Sequence, residues 1–242
     1  MRPTLAESAA LPAVAPDAEG RMAIVVAGLD VFDGQWVGIV LIDGKVDRGF
    51  LVRTFEEALG CIPGSAKAIG VDIPIGLPDA ERPSDLAARG KLRGVQAASV
   101  FMTPPLEVLR AANWDAALLL HREMRKKGMS IQTWGLRKKI LEVQDLPTTR
   151  PVFEVHPEVS FWAMNREQPL PHSKHTWPGH NRRRQLLEEH GIVVPNDLGG
   201  LERAGVEDVL DAAAAAWSAH RIATGKAAGL PQGSWGRETI HY

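Results

Sequence analysis

The sequence predicts an α/β fold with a mixed sheet that opens β-β-β-α-β. Two observations predict it. Three strand-like runs follow one another, punctuated by Asp33-Gly34 and Asp43-Gly44, dipeptides that close tight hairpins. A short helix then separates them from a fourth apolar run, which therefore returns to the sheet by a crossover.

The first strand spans 22–31, where Ile24 to Leu29 is apolar and Asp30 ends the run. The second is Trp36 to Ile42, and a third follows near Gly49 to Val52. Thr54-Phe55-Glu56-Glu57 is a capping box, starting a helix that ends near Gly60. The fourth strand is 68–73, with Asp72 at its end. Residues 83–93 read as a helix with Pro83 near its start, and Asn113 caps another that ends in Arg125-Lys126-Lys127-Gly128, cations over the C-terminus and glycine beyond it. Thr133 to Val143 is a further helix; the strand from Pro151 to His156 is stopped by Pro157. Arg182 to Glu189 is a helix ending at Gly191, and the last helix runs from Val206 to Ala223. The stretch from about 82 to 150 is a mostly helical insertion between two strands.

At 242 residues and 45% apolar composition, the expected organisation is one domain, 22–242, behind a flexible N-terminal extension, 1–21. That extension carries Glu7, Asp17 and Glu19 and lacks the apolar centre of a signal peptide. No apolar run nears the roughly 18 residues of a membrane span, so no membrane partner is expected. The net charge of −1 provides no global basic field, which leaves only a local groove for any nucleic acid. Cys61 is the single cysteine, which excludes an intrachain disulfide and a cysteine-based zinc cluster and suits a reducing, cytoplasmic setting.

The chemistry rests on four carboxylates. Asp30 and Asp72 end strands at a sheet edge, where ligands gather. Asp208 and Asp211 share one face of the last helix at i, i+3, where like charges repel by a few tenths of a kcal/mol. Taken singly, each strand-end acid is equally a turn former and Asp208 a helix-dipole partner. Together they suit a divalent metal: Mg²⁺ or Mn²⁺ takes hard oxygen ligands. Strand alternation in Glu154-Val155-His156-Pro157-Glu158 sets Glu154, His156 and Glu158 on one face. Glu154 would be a further catalytic ligand and His156 a proton holder or water orienter; the alternative is an ion-paired cap on the sheet edge. Arg82, Asp85 and Arg89 share a helix face, as a phosphate clamp with an internal ion pair or as a solvated face. Lys174, in a polar loop without P-loop glycines, would also meet a phosphate. Arg137-Lys138-Lys139 and Arg182-Arg183-Arg184 suit backbone phosphates, though such runs are usually solvated faces. Trp114, Trp162 and Trp217 read as core, and Trp134 and Trp177 as partly buried rather than base-stacking. His172, His175 and His180 lack metal-ligand spacing and read as loop residues.

The chain resembles the DUF429 family of predicted nucleases, of the ribonuclease H-like superfamily. The resemblance is carried by Gly28-Leu29-Asp30 with Trp36, by Val71-Asp72-Ile73-Pro74-Ile75-Gly76-Leu77-Pro78, and by Arg82, Asp85, Arg89 and Gly90. It continues through Ser99-Val100-Phe101, Glu154-Val155-His156-Pro157-Glu158, Lys174-His175-Thr176, and Glu207-Asp208-Val209-Leu210-Asp211-Ala212 with Trp217. It implies a ribonuclease H-like sheet flanked by helices, in which the first and fourth strands and the last helix supply the acids, here Asp30, Asp72, Asp208 and Asp211. The Asp-x-x-Asp spacing is similar to that of the Holliday-junction resolvase branch, and Glu207 stands where the family often has aspartate.

The leading expectation is a nuclease that hydrolyses phosphodiester bonds with two Mg²⁺ or Mn²⁺ ions, roughly 4 Å apart and bridged by Asp30. Its partner would be nucleic acid, DNA or RNA, with no preference legible and the oligomeric state open. The rivals are a nucleotide-dependent phosphotransferase, for which Gly28 to Gly34 is a meagre phosphate loop, and a non-catalytic module binding nucleic acid or protein.

Overall fold

Both Asp-Gly dipeptides close hairpins in the computed structural model, which describes residues 21–242. Asp33 and Gly34 sit at φ 46° and 70°, and Asp43 and Gly44 at 48° and 76°. These positive values match the twist of a hairpin. They join β1 (Val25–Phe32), β2 (Gln35–Ile42) and β3 (Lys45–Val52) into an antiparallel meander. β3 starts at Lys45 rather than near Gly49 because it pairs with β2 from the turn onward, despite its polar residues. The capping box is present: Glu57 N–H donates to Thr54 Oγ1 at 3.1 Å and Thr54 N–H to Glu57 Oε2 at 3.0 Å, starting α1 (Phe55–Cys61). β4 (Ala68–Val71) returns parallel to β1, and β5 (Val152–Glu154) adds parallel to β4. The five-stranded mixed sheet has the order β3-β2-β1-β4-β5.

Between β4 and β5 lie α2 (Pro83–Leu92), a 3-10 stretch (Gly94–Ser99), α3 (Leu106–Leu109), α4 (Trp114–Arg125), α5 (Ile131–Gly135) and α6 (Arg137–Asp145). Asn113 caps α4, accepting from Ala116 N–H at 3.0 Å. The left-handed residue ending α4 is Lys126, at φ 57°, rather than Gly128. The helix expected over 133–143 is two helices broken at Leu136.

α7 (Pro157–Met164), α8 (Trp177–Glu189) and α9 (Val206–Ala223) follow, then a small ribbon, β6 (Gly229–Leu230) with β7 (Ile240–His241). Pro157 both stops the strand and opens α7, because its fixed φ and missing N–H suit the first helical position. α8 begins five residues earlier than expected, at the Thr176 cap, whose Oγ1 accepts from Gly179 N–H. The ribbon has no periodicity to read, being strands of two residues.

Strand alternation separates two cores. Val26, Val37, Ile39, Leu41 and Ala68 pack on α7, α8 and α9. Val25, Ala27, Leu29, Trp36, Val40, Ile69 and Val71 face α1 and α6. The layers are α/β/α, as the sequence predicts at the level of fold class. The expected N-terminal extension lies outside the described residues, apart from Arg21. Among the described residues no helix is long and apolar enough to cross a membrane.

Candidate functional site

Two glycines set the site. Gly28 on β1 and Gly70 on β4 are register partners and face α9. A Cβ at Gly28 would stand 2.1 Å from Ala212 O and from Ala216 N, and one at Gly70 would stand 2.6 Å from Ala215 O. α9 therefore lies directly on the sheet, with Ala212, Ala213, Ala215 and Ala216 fully buried. Two residues on from each glycine, on the same face, are Asp30 and Asp72. The ladder continues past the register, with Asp72 N–H donating to Leu29 O at 2.9 Å. The two acids are thus neighbours, and the close approach of α9 brings Asp211 down to them.

Asp30 is 8% and Asp211 2% exposed. Burial raises Asp30 well above the usual carboxylate range, and the charges of Asp72 and Asp211 raise it further, against Lys174 and the Val31 amide. Burial raises Asp72 too, opposed by His156 and Lys174. Asp211 is pushed up to about 6, first by burial, with Glu158 and Asp72 adding and Lys174 opposing. Carboxyls that raise one another in this way form a single electrostatic cluster.

Lys174 is its cation, donating to Asp211 Oδ2 at 2.6 Å. Burial alone would depress the ammonium, yet the attraction of Asp211, then Asp30 and Asp72, carries it above its ordinary value. The loop bearing Lys174 is held from α8. A Cβ at Gly179 would stand 2.0 Å from Ser173 O, so the loop needs a glycine there. Thr176 Oγ1 also donates to Ser173 O at 2.8 Å. Arg183 reaches His172 O and Gly179 O from beneath, and grips Glu158 of α7 with two bonds of 2.8 and 2.6 Å. In the basic run 182–184 only Arg183 is buried; Arg182, on Glu189 and Asn165, and Arg184, on Asn196, stay partly exposed on the helix surface. In the run 137–139, Lys139 is buried on Glu142 and Arg137 stacks on Trp134.

Asp208 stands at the rim, half-buried one turn outside Asp211. Burial raises it and Lys174 opposes. Its charged neighbours are Lys174 and Glu207.

Glu154 is set apart from His156 and Glu158, contrary to the sequence expectation, because the strand ends at Glu154 and a helix starts at Pro157; His156 and Glu158 are the two that act on Asp72. Glu154 lies across the sheet from Asp72, on the face of its register partner Val71. It accepts two bonds from Arg82, at 3.0 and 2.5 Å, and one from Ile75 N–H at 2.6 Å. Burial pushes the Glu154 carboxyl up and Arg82 opposes this. The internal Arg82–Asp85 pair is present at 3.0 Å, but Arg82 is 1% exposed and its terminal nitrogens are taken by Asp85, Thr103, Glu154 and Ile75 O. This is neither a solvated face nor an open clamp. Arg89 is exposed and lines a separate cavity of about 370 Å³ in the helical insertion. Of the three phosphate candidates, only Lys174 is at the carboxylates. Of this cluster, His156 and Glu158 act on Asp72, His156 lowering and Glu158 raising it, and the His156 Nδ1 is buried without a hydrogen-bond partner.

The donor chemistry suits Mg²⁺ or Mn²⁺. The carboxylate oxygens are hard ligands, and Asp211 Oδ1 is buried without a partner. Among the described residues no three His, Cys, Asp or Glu side chains already converge as a ligand set. The Lys174 ammonium, bonded to Asp211, balances part of the charge of these acids, so a metal ion would share or displace that contact.

The sequence signals for Asp30, Asp72 and Asp211 were local. Those for Glu158 and Arg183 were not, since they act on one another across 25 residues, and Gly179 matters through the Ser173 carbonyl of the preceding loop. The model of the family described as "Protein of unknown function (DUF429)" matches residues 28–234. No curated protein and no solved structure matches the chain.

Proposed function

The chain belongs to the DUF429 family, and on that premise we propose that it is a divalent-metal-dependent nuclease hydrolysing phosphodiester bonds of nucleic acid in the cytoplasm. The observation that carries this reading is the gathering of Asp30, Asp72 and Asp211 under α9, each raised from its ordinary carboxylate value. A cluster of acids held against mutual repulsion needs a cation to be useful at neutral pH. The strand order, with one acid near the end of β1, one just past β4 and one on α9, supports a ribonuclease H-like sheet.

Asp30, Asp72 and Asp211 would hold Mg²⁺ or Mn²⁺, with Asp208 contributing from the rim. When bound, such ions lower the pKa of an attacking water and stabilise a leaving oxyanion. Lys174, released from Asp211, can donate to a substrate phosphate oxygen. His156, beside Asp72 with a free buried Nδ1, can hold a proton from the attacking water. The phosphotransferase reading finds less support: Gly28 and Asp30 lie inside β1, and Asp33-Gly34 is a tight hairpin turn, leaving no glycine-rich loop above the acids.

Asp30→Asn tests the proposal. Cleavage of oligonucleotides in Mn²⁺ should vanish while the melting temperature stays at or above that of the wild type, since a repelled charge is removed. Cleavage at the wild-type rate defeats the proposal.

A further inference from the structure

Trp177, expected to be partly buried, is 77% exposed at the first turn of α8. The other widely exposed tryptophan, Trp235 at 60%, packs against Phe153 and His241. Trp177 makes no ring contact within the described residues. A tryptophan left in water forfeits a large burial gain, and one beside a charged cleft marks a binding position.

Trp177 forms one wall of a groove of about 540 Å³, within the roughly 300–1,000 Å³ range of small-ligand sites. Lys174 and His180 line it too, together with the start of α9, Val206 to Asp208. Val206, in the same lining, is itself 61% exposed, so the groove offers apolar as well as charged surface. The groove is continuous with the acids through Lys174, which bonds Asp211. Two acids line the groove: Glu207, paired with His175 at 2.8 Å, and Asp208, which lies in the field of the Lys174 ammonium.

We infer that Trp177 stacks a nucleobase of single-stranded nucleic acid, next to the phosphate that Lys174 receives. Away from a duplex end, a base can present its face to an indole only when it has left the stack of its neighbours. The substrate is accordingly a single strand, or a single-stranded segment of a larger one. This rests on the nuclease reading for the neighbouring phosphate.

The test uses the full chain carrying Asp30→Asn, which binds without cutting, and a fluorescein-labelled twelve-residue oligothymidylate read by fluorescence anisotropy. Adding Trp177→Ala should weaken binding about 5- to 150-fold, the range for one stacked base. Trp177→Phe should keep most of the affinity. An abasic oligomer of the same length should bind weakly and respond little to Trp177→Ala, a coupling that mere surface packing would not produce. Equal affinity of the Trp177→Ala chain for the oligothymidylate, or no binding of the oligothymidylate at all, overturns the inference. Wild-type cleavage of the same oligomer is scored separately. Trp177-dependent binding without cleavage sinks the nuclease reading and leaves the stacking site. Cleavage without Trp177-dependent binding does the reverse.

Discussion

Gly28→Ala probes the contact on which the site depends. The added methyl would lie 2.1 Å from Ala212 O and Ala216 N and 2.7 Å from Ala215 C, where ordinary contact begins near 3.4 Å. All three are backbone atoms of α9, so no side chain can swing aside. The helix must withdraw by more than about 1 Å or the strand must bend, which places the cost at the top of the overpacking range, about 3 kcal/mol. The conformational gain of alanine over glycine returns about 0.5–1 kcal/mol. A net loss of about 2 kcal/mol lowers the melting temperature by about 4–8 °C, at about 2–4 °C per kcal/mol for a domain of this size. Moving Asp211 from Asp30 on this scale should also cost on the order of 10²-fold in cleavage. Thermal melts with urea titration read the first effect, oligonucleotide cleavage in Mn²⁺ reads the second, and Mn²⁺ calorimetry reads the acid cluster itself. Gly90→Ala is the control: it lies in α2 with nothing within 4 Å of its added methyl, so it should be neutral or stabilising. A Gly28→Ala chain that melts within about 1 °C of wild type and binds Mn²⁺ equally well would refute the account of how the acids are brought together.

Arg82→Met should cost about 3–5 kcal/mol in urea unfolding, because Glu154 and Asp85 remain buried without their cation. Arg82→Lys should not restore it, since one ammonium cannot reproduce the forked contacts; a loss well under 1 kcal/mol in Arg82→Met would remove the structural role. Because Asp211 is pushed up to about 6, it is largely protonated at pH 5 and must release its proton to bind metal. The rise in melting temperature on adding Mn²⁺ should therefore grow from pH 5 to 7.5 and level off above; equal rises at both ends would show that the acids are already ionised. Lys174→Met removes the charge that opposes this shift, so the midpoint of the Mn²⁺ effect should move to higher pH, and an unmoved midpoint would dissociate Lys174 from the cluster.

Much was legible along the chain because it is decided locally. Asp33-Gly34 and Asp43-Gly44 specify their turns by backbone preference, Thr54 and Glu57 satisfy one another within a single turn, and Asp30 and Asp72 announce themselves as acids that end apolar runs. Trp177 misled because its local surroundings resemble those of partly buried tryptophans, and exposure depends on which elements pack nearby. Glu154 misled because alternation was extended past the point where Pro157 turns the chain into a helix.

By itself, then, the sequence determined the α/β class, the meander and crossover, and the carboxylates available at the strand ends and on the last helix. Only the tertiary structure decided which of them meet. Gly28 and Gly70 become a seat for α9 because β1 and β4 pair in that register and the alanines of α9 lack bulk. Arg82 and Arg183, alike as surface cations on paper, became interior ties to Glu154 and Glu158 because folding closed separations of 72 and 25 residues. Such pairings arise from long-range packing and leave no periodic trace in the chain.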